Sequence, residues 1–254
     1  DKVGSQLSIV KETFASTPSA ISGYSIANER ESNVDGIPTK QFTFLKDSVE
    51  LSRNEDKVGS QLAIVTEVFN PSSNPTESGY SVARTEVSDV NGIPTKRFTF
   101  LKDDVKLSES EDKVSSQNAI TEQWFKPSAS RDQKINYSLA QKEESDVGGI
   151  PTERYTFLKD NVILSETEDK VGSQLAIVKE VFNGTPSSPV GYSLADSQTS
   201  DVNGIPTRRF RFLKNNVVLS ESKDKVGSQL AITQEVFNGT PSPPSGYSVA
   251  SEQE

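Results

Sequence analysis

The sequence predicts an all-β fold, a tandem array of small antiparallel β-sheet or sandwich units with a period of about 56 residues. Three observations carry this expectation. The motif Gly-Ile-Pro-Thr begins at Gly36, Gly92, Gly149 and Gly204, so its copies lie 56, 57 and 55 residues apart. A second marker, Asp-Lys-Val, begins at Asp1, Asp56, Asp112, Asp169 and Asp224, with gaps of 55, 56, 57 and 55. The stretches between are rich in β-branched and aromatic residues and are broken by turn dipeptides, as short strands are. One period is too short for a sandwich of roughly 100 residues. Small units are also marginal alone, so neighbouring repeats or chains must supply part of the core.

Boundaries are expected in the segments rich in Pro, Ser, Asn and Gly: 16–19, 70–78, 126–135, 184–190 and 239–245. Cutting there gives residues 1–23 as the end of a truncated repeat with its linker. Four repeats with linkers follow at 24–79, 80–136, 137–191 and 192–246, and 247–254 begins a further one. The chain therefore reads as part of a longer array.

Each repeat opens on a hairpin. Asn91-Gly92 and Asn203-Gly204 suit a two-residue turn in which both residues take positive φ, and Asp35-Gly36 and Gly148-Gly149 meet the same need. Carrying the register back from the turn sets Val90 against Ile93, Glu86 against Arg97 and Ala83 against Phe100. In other copies it sets Asp196 against Arg211, and Ala27, Ala140 and Ala195 against Phe44, Phe157 and Phe212. Small against large and acid against base are favourable cross-strand pairs. Pro38, Pro94, Pro151 and Pro206 cannot donate to a ladder, which puts that side of the strand at an edge.

A bend rich in Asp and Asn follows Phe-x-Phe-Leu-Lys, and then a short strand at 49–51, 105–107, 162–164 and 217–219. The polar run Ser108–Lys113 and its copies read as a solvated turn. The last element, such as Gln174–Phe182, fits a helical stripe through Val171, Leu175, Val178 and Phe182. It also fits a strand with Leu175, Ile177 and Val181 on one face. The other copies put Asn118 and Thr233 where the helical stripe needs apolar residues, which favours the strand.

Composition excludes several chemistries. The chain has no Cys, Met or His. Disulfides, thiol catalysis, a Ser-His-Asp triad and the usual zinc sites are thereby removed. Charge is 27 Lys plus Arg against 36 Asp plus Glu, a net of −9. That disfavours nucleic acid, whose binding rests on clustered cations, and anionic membrane surfaces. No apolar run approaches the roughly 20 residues of a membrane span.

Candidate sites are weighed against plainer readings. The carboxylates Glu109, Glu111 and Asp112, or Glu166, Glu168 and Asp169, suggest acid–base work or calcium, but every copy carries such a run. Ser88-Asp89-Val90-Asn91-Gly92 resembles the middle of a calcium loop, and the third copy replaces its Asn by Gly148. Lys46, Lys102, Lys159 and Lys214, with Lys57, Lys113, Lys170 and Lys225, recur at fixed places. They read as edge protection and cross-strand partners in preference to isopeptide cross-links. Phe69, Tyr80, Phe98 and Phe100 read as core before carbohydrate platform. Trp124 stands alone, as packing drift or a contact. Gly-Ser-Gln at Gly59, Gly172 and Gly227 has neither the length nor the placement of a phosphate loop. No catalytic, cofactor-binding or metal residue is expected, and no cofactor.

In its Gly-Ile-Pro-Thr-x-x-Phe/Tyr-x-Phe-Leu-Lys units the chain resembles the tandem β-rich repeats of bacteriophage virion fibres and appendages, over nearly all its length. The resemblance implies an oligomeric virion structural protein without catalytic residues. The expected function is thus a non-catalytic rod, fibre or appendage segment, extracellular or on a virion surface. Its expected partners are copies of itself joined through sheet edges, and other virion or surface proteins, without nucleic acid or membrane insertion. The alternatives are the stalk of a bacterial surface adhesin and, third, a multivalent carbohydrate-binding array.

Overall fold

The computed structural model describes residues 2–4, 6–128 and 134–253, and these hold strands and no helix. The first strands are β1 (Lys2–Val3), β2 (Gln6–Leu7), β3 (Ile9–Thr13), β4 (Tyr24–Val34) and β5 (Ile37–Lys46). The next four are β6 (Val49–Val58), β7 (Gln61–Phe69), β8 (Ser81–Val90) and β9 (Ile93–Leu101). One period later come β10 (Val105–Val114), β11 (Gln117–Phe125), β12 (Tyr137–Val147) and β13 (Ile150–Lys159). Another gives β14 (Val162–Val171), β15 (Gln174–Phe182), β16 (Tyr192–Val202) and β17 (Ile205–Lys214). The last hairpin is β18 (Val217–Val226) with β19 (Gln229–Phe237).

The sheets are drawn in the orders β3-β5-β4, β6-β7-β9-β8, β10-β11-β13-β12 and β14-β15-β17-β16. They are referred to as the first to fourth sheets. Each full sheet joins two hairpins through its central strands. The second hairpin reaches its place by a crossover, because β7 and β8 run parallel on either side of β9. The Pro/Ser-rich segments 16–19, 70–78 and 184–190 lie in these crossovers. A hydrogen-bonded sheet therefore combines the second half of one sequence unit with the first half of the next, and the chain changes sheets at the two-residue bend of Asp47-Ser48.

The expected hairpin register holds near the turn, with Val90 opposite Ile93 and Glu86 opposite Arg97. Asp196 likewise faces Arg211. Further out it shifts by one. Val82, not Ala83, lies opposite Phe100, because Ala83 is the extra residue of a β-bulge between Val82 and Arg84. Ala27 and Ala195 occupy the same position in bulges that place Ile26 against Phe44 and Leu194 against Phe212. A bulge turns one residue out of alternation, and here it turns Ala83 into the cluster that holds Leu101 and Ile150.

The polar run after the bend is strand and not turn. β10 continues through Ser108–Lys113, and the real turn is the next pair, Ser115-Ser116. The ambiguous last element is a strand in each copy. Leu175 does not share a buried face, being 54% exposed, while Ile177 and Val181 pack with Phe210 and Phe212. Pro94 lies on a central strand, but past Lys96, where the ladder to β7 ends, so its missing N–H costs no bond.

Every sheet has two faces. One carries Phe98 and Phe100, packed with Val68, Ile64, Tyr80 and Val82. Arg53, Thr66 and Phe98 are cross-strand neighbours on this face. Arg53 Nη1 and Nη2 donate to both carboxylate oxygens of Glu77, at 2.8 and 3.0 Å, and Glu77 belongs to the crossover. The crossover is thus strapped over its own sheet, and Phe98 retains no exposed surface.

The opposite face joins sheet to sheet. Ala27 and Leu45 of the first sheet share a cluster with Leu51, Phe69 and Ile93 of the second. At the other end of the second sheet, Val58, Ala63, Ala83 and Leu101 share one with Leu107, Phe125 and Ile150. By compactness the chain divides into Asp1–Ser110, Glu122–Asp132 and Lys142–Arg154 on one side and Glu111–Thr121, Gln133–Gln141 and Tyr155–Glu254 on the other. The cluster of the second unit repeats the pattern, with Val114, Ala119, Ala140 and Leu158 against Leu164, Phe182 and Ile205.

Candidate functional site

The feature that recurs with most chemistry is the joint where the chain leaves one sheet for the next. At Asp47, Ser25 Oγ donates to Oδ1 at 2.5 Å and Asn70 Nδ2 donates to the same oxygen at 2.6 Å. Asn70 Nδ2 also reaches Ser25 Oγ at 2.9 Å. Ser25 opens β4 in the first sheet, Asp47 is the bend, and Asn70 follows β7 in the second, so three side chains clamp two sheets. Ser138, Asp160 and Asn183 repeat the arrangement at 2.6, 2.5 and 3.0 Å. Ser193, Asn215 and Asn238 repeat it at 2.7, 2.7 and 2.8 Å, with a neutral amide in place of the carboxylate.

Backbone bonds reinforce each clamp. Asp47 N–H donates to Gly23 O and Ser48 N–H to Phe69 O, both at 3.0 Å. Asn215 and Asn216 do the same toward Gly191 and Phe237, at 3.1 and 3.0 Å. Asn70, Asn183 and Asn238 all take positive φ, at 38°, 41° and 43°, a region that Asn tolerates better than most residues. Hydrogen bonds from Ser25, then Asn70, hold the Asp47 carboxyl below its ordinary value. Those from Ser138, then Asn183, do so for Asp160.

The second joint departs from this. Lys126 stands where the others have Asn, with its Nζ 3.9 Å from Asp103, and Asp104 accepts from the N–H and Oγ–H of Ser128 at 2.9 Å each. Nearby, Trp124 is half-buried, and its Nε1–H donates at 3.0 Å to Glu122, which is 2% exposed. Lys106 Nζ lies 3.5 Å from Glu122 and bonds Glu109 at 2.5 Å. Sequence reading singled out Trp124 and missed Glu122. The signal was a position in β11 that Thr66, Lys179 and Gln234 fill elsewhere, polar in each of these four copies.

Two hairpin tips complete the joint. At Gly59-Ser60, between β6 and β7, a Cβ on Gly59 would sit 2.3 Å from Leu107 O. Ser60 N–H donates to that carbonyl at 3.3 Å. Its counterparts Leu51, Leu164 and Leu219 are the extra residues of bulges. The other tip, at Gly148-Gly149, offers Gly148 O to Arg84 Nη1 at 2.7 Å, one residue from the bulged Ala83.

The acidic runs lie on strands and form ion pairs. Glu166 is 3.6 Å from Lys179, and Asp169 is 3.3 and 3.4 Å from Arg209 and Arg211. Asp89, proposed within a calcium-like loop, accepts from Gly92 N–H at 2.7 Å and so closes its own turn, as Asp146 and Asp201 do at 2.8 Å. Among the described residues no group of three or more carboxylates is arranged to hold a metal. Equivalent shallow grooves of roughly 540 and 480 Å³ occur at the Pro-Thr-Lys steps of Pro38–Lys40 and Pro94–Lys96. Compared with protein-family models, curated proteins and solved structures, the chain matches none.

Proposed function

We propose that the chain is a non-catalytic structural repeat protein, a segment of a rod, fibre or appendage of a bacteriophage virion, working outside the cell or on the virion surface. The observation that supports this reading is the clamped joint. A clamp of Ser, Asp or Asn, and Asn recurs with its backbone bonds at three of the four joints where one sheet hands the chain to the next, and an apolar cluster spans each of the first three. Linking every sheet to its neighbour by short-range contacts makes stability additive along the array, as a load-bearing spacer requires. Copies associate with one another and with other virion proteins through sheet edges. The bacteriophage assignment rests on the Gly-Ile-Pro-Thr resemblance, which the adhesin-stalk reading does not use.

The test is immunogold labelling of virus particles and of cell surfaces from the source, with antibody raised against the purified chain. Gold on particle fibres or appendages is the expected result. Gold confined to the cell wall supports the adhesin stalk instead. Labelling of neither, with the purified chain enzymatically active on a polymer, overturns the structural reading.

A further inference from the structure

Two halves of the sheet-to-sheet joint stand open, and they are complementary. In a complete joint the Ile of an Ile-Pro-Thr strand closes a cluster of Ala and Leu from one sheet with Leu and Phe from the next. Ile93 does so with Ala27, Leu45, Leu51 and Phe69. Ile150 and Ile205 fill the same place in their clusters, and all three are 2% exposed or less. Ile37 of the first sheet is the remaining copy, and it is 53% exposed. Phe14 and Val34, the counterparts of Phe69 and Val90, are exposed with it. The other half belongs to the fourth sheet and the β18–β19 hairpin. There Ala195, Leu213, Leu219 and Phe237 are the counterparts of Ala27, Leu45, Leu51 and Phe69. Ala195, Leu219 and Phe237 are only half-buried, whereas Ala27, Leu51 and Phe69 are buried.

The backbone repeats the match. β7 and β15 each pair on one side with the first strand of their hairpin and on the other with an Ile-Pro-Thr strand, β9 or β17. β19 has β18 on one side, from Val217 with Phe237 to Val226 with Gln229, and no strand on the other among the described residues. In the first sheet the same place beside β5 is held by β3, from Ile9 with Phe44 to Thr13 with Lys40. The two segments are sequence copies, since Asp-Lys-Val-Gly-Ser-Gln-Leu leads into Ser8-Ile9 and, unchanged, into Ala231-Ile232. β3 is the weaker occupant. Thr13 stands where β19 has Val236, and at this position Val68 and Val181 pack against pairs of Phe rings. β1 and β2 support β3 through Lys2 with Leu7 and Val3 with Gln6, where β18 runs along the whole of β19.

We infer that copies of this chain join head to tail by strand exchange. β19 of one copy takes the place of β3 beside β5 of the next. The result is a four-stranded sheet in the order β18-β19-β5-β4, its last two strands coming from the second copy. By the register of β7 with β9, Ile232 lies opposite the partner's Phe44, Glu235 opposite the partner's Gln41 and Val236 opposite the partner's Lys40. The partner's Ile37 then closes the open cluster of Ala195, Leu213, Leu219 and Phe237, as Ile93 closes its own. Backbone bonds given up by β3 are remade by β19, so the net gain is the apolar surface of Ile37, Val236 and Phe237 removed from water. Two β19 edges paired with each other would leave both clusters without their Ile. The contact is heterologous, and it propagates into an open filament where successive rotations do not close a ring. It names the partner in the structural reading above and rests on that reading.

The experiment is light scattering of the full chain over a concentration series, with cysteines introduced into a sequence that has none of its own. Mass is expected to rise with concentration beyond that of a dimer. Ile37→Asp, at an exposed position, is expected to leave the unfolding curve of the monomer unchanged and to weaken association about tenfold or more. Chains carrying Glu235→Cys, mixed with chains carrying Gln41→Cys, are expected to link to each other in preference to themselves. Opposed residues of antiparallel strands lie within disulfide reach. The double variant Glu12→Cys with Gln41→Cys fastens β3 to β5, where these two residues pair. It is expected to stay monomeric when oxidised and to associate when reduced. A chain that is monomeric at every concentration, a closed dimer, no preferential link between the two single variants, or association of the oxidised double variant overturns the proposal. Gold on fibres or appendages in the labelling experiment would then leave the structural reading standing without strand exchange.

Discussion

At the scale of single residues the clamp is a place where one atom type changes the response to pH. Asp47 and Asp160 are held below the ordinary carboxyl value of 3.8 by bonds that only the ionised form accepts in full. The stability they lend is complete above that ordinary value and is lost as pH falls through the lowered one. Glu77 is held low by Arg53 and loses its strap over the same range. Asn215 has no proton to gain. The expected outcome is that amide protection at Ser48 and Asn161 holds from neutrality down to the ordinary carboxyl value of 3.8 and falls as pH is lowered further. Protection at Asn216, which donates an equivalent backbone bond, should hold to lower pH. Equal loss at all three amides would mean that the clamps do not set joint stability.

At the scale of elements, the joint depends on a hairpin tip meeting a bulged strand. Gly59 and Gly172 take φ of 57° and 59°, and a Cβ there would come within 2.3 and 2.1 Å of a carbonyl oxygen. Ser115 holds the same position in another copy with φ 56°, a conformation that costs a non-glycine residue about 1–2 kcal/mol. Ser115→Gly is therefore expected to raise stability by about 1 kcal/mol, measured by denaturant unfolding. Gly59→Val is expected to lower it by more, because its Cβ would meet the Leu107 carbonyl oxygen at 2.3 Å and its branched side chain is poorly suited to a positive φ. A neutral Gly59→Val would show that this tip does not dock.

At the scale of the whole molecule, each interior sheet is stabilised from both ends of one face. The second sheet gives Phe69 and Ile93 to one cluster and Ala83 and Leu101 to another. Its other face holds Phe98 and Phe100 under the crossover. Such a chain behaves as a row of coupled units. A chain lengthened by one further 56-residue period, copied from Val49–Asp104, is expected to melt higher and more cooperatively than the parent. Calorimetry that found the same midpoint and an added independent transition would refute the coupling.

Much of this was legible in the residues because strands and tight turns are local. The period, the Asn-Gly and Asp-Gly turns and the register from Val90–Ile93 to Glu86–Arg97 follow from turn chemistry and alternation over about ten residues. Comparing copies also separated strand from helix in Gln174–Phe182. What lay outside the local signal was any feature set by a partner distant in sequence. The bulges at Ala27 and Ala83 exist because the next sheet needs a small residue turned toward it. Ser108–Lys113 looked like a turn because its side chains are solvated, yet its backbone is held by β11. The segments 16–19, 70–78 and 184–190 looked like joints between units and serve as crossovers within a sheet, while the chain passes between sheets at a two-residue bend such as Asp47-Ser48 or Asn215-Asn216. The sequence alone determined which segments become strands, because side-chain period and turn conformation belong to neighbouring residues. The tertiary structure decided which strands share a sheet, because the pairing of hairpin with hairpin is settled by contacts 28 to 36 residues apart.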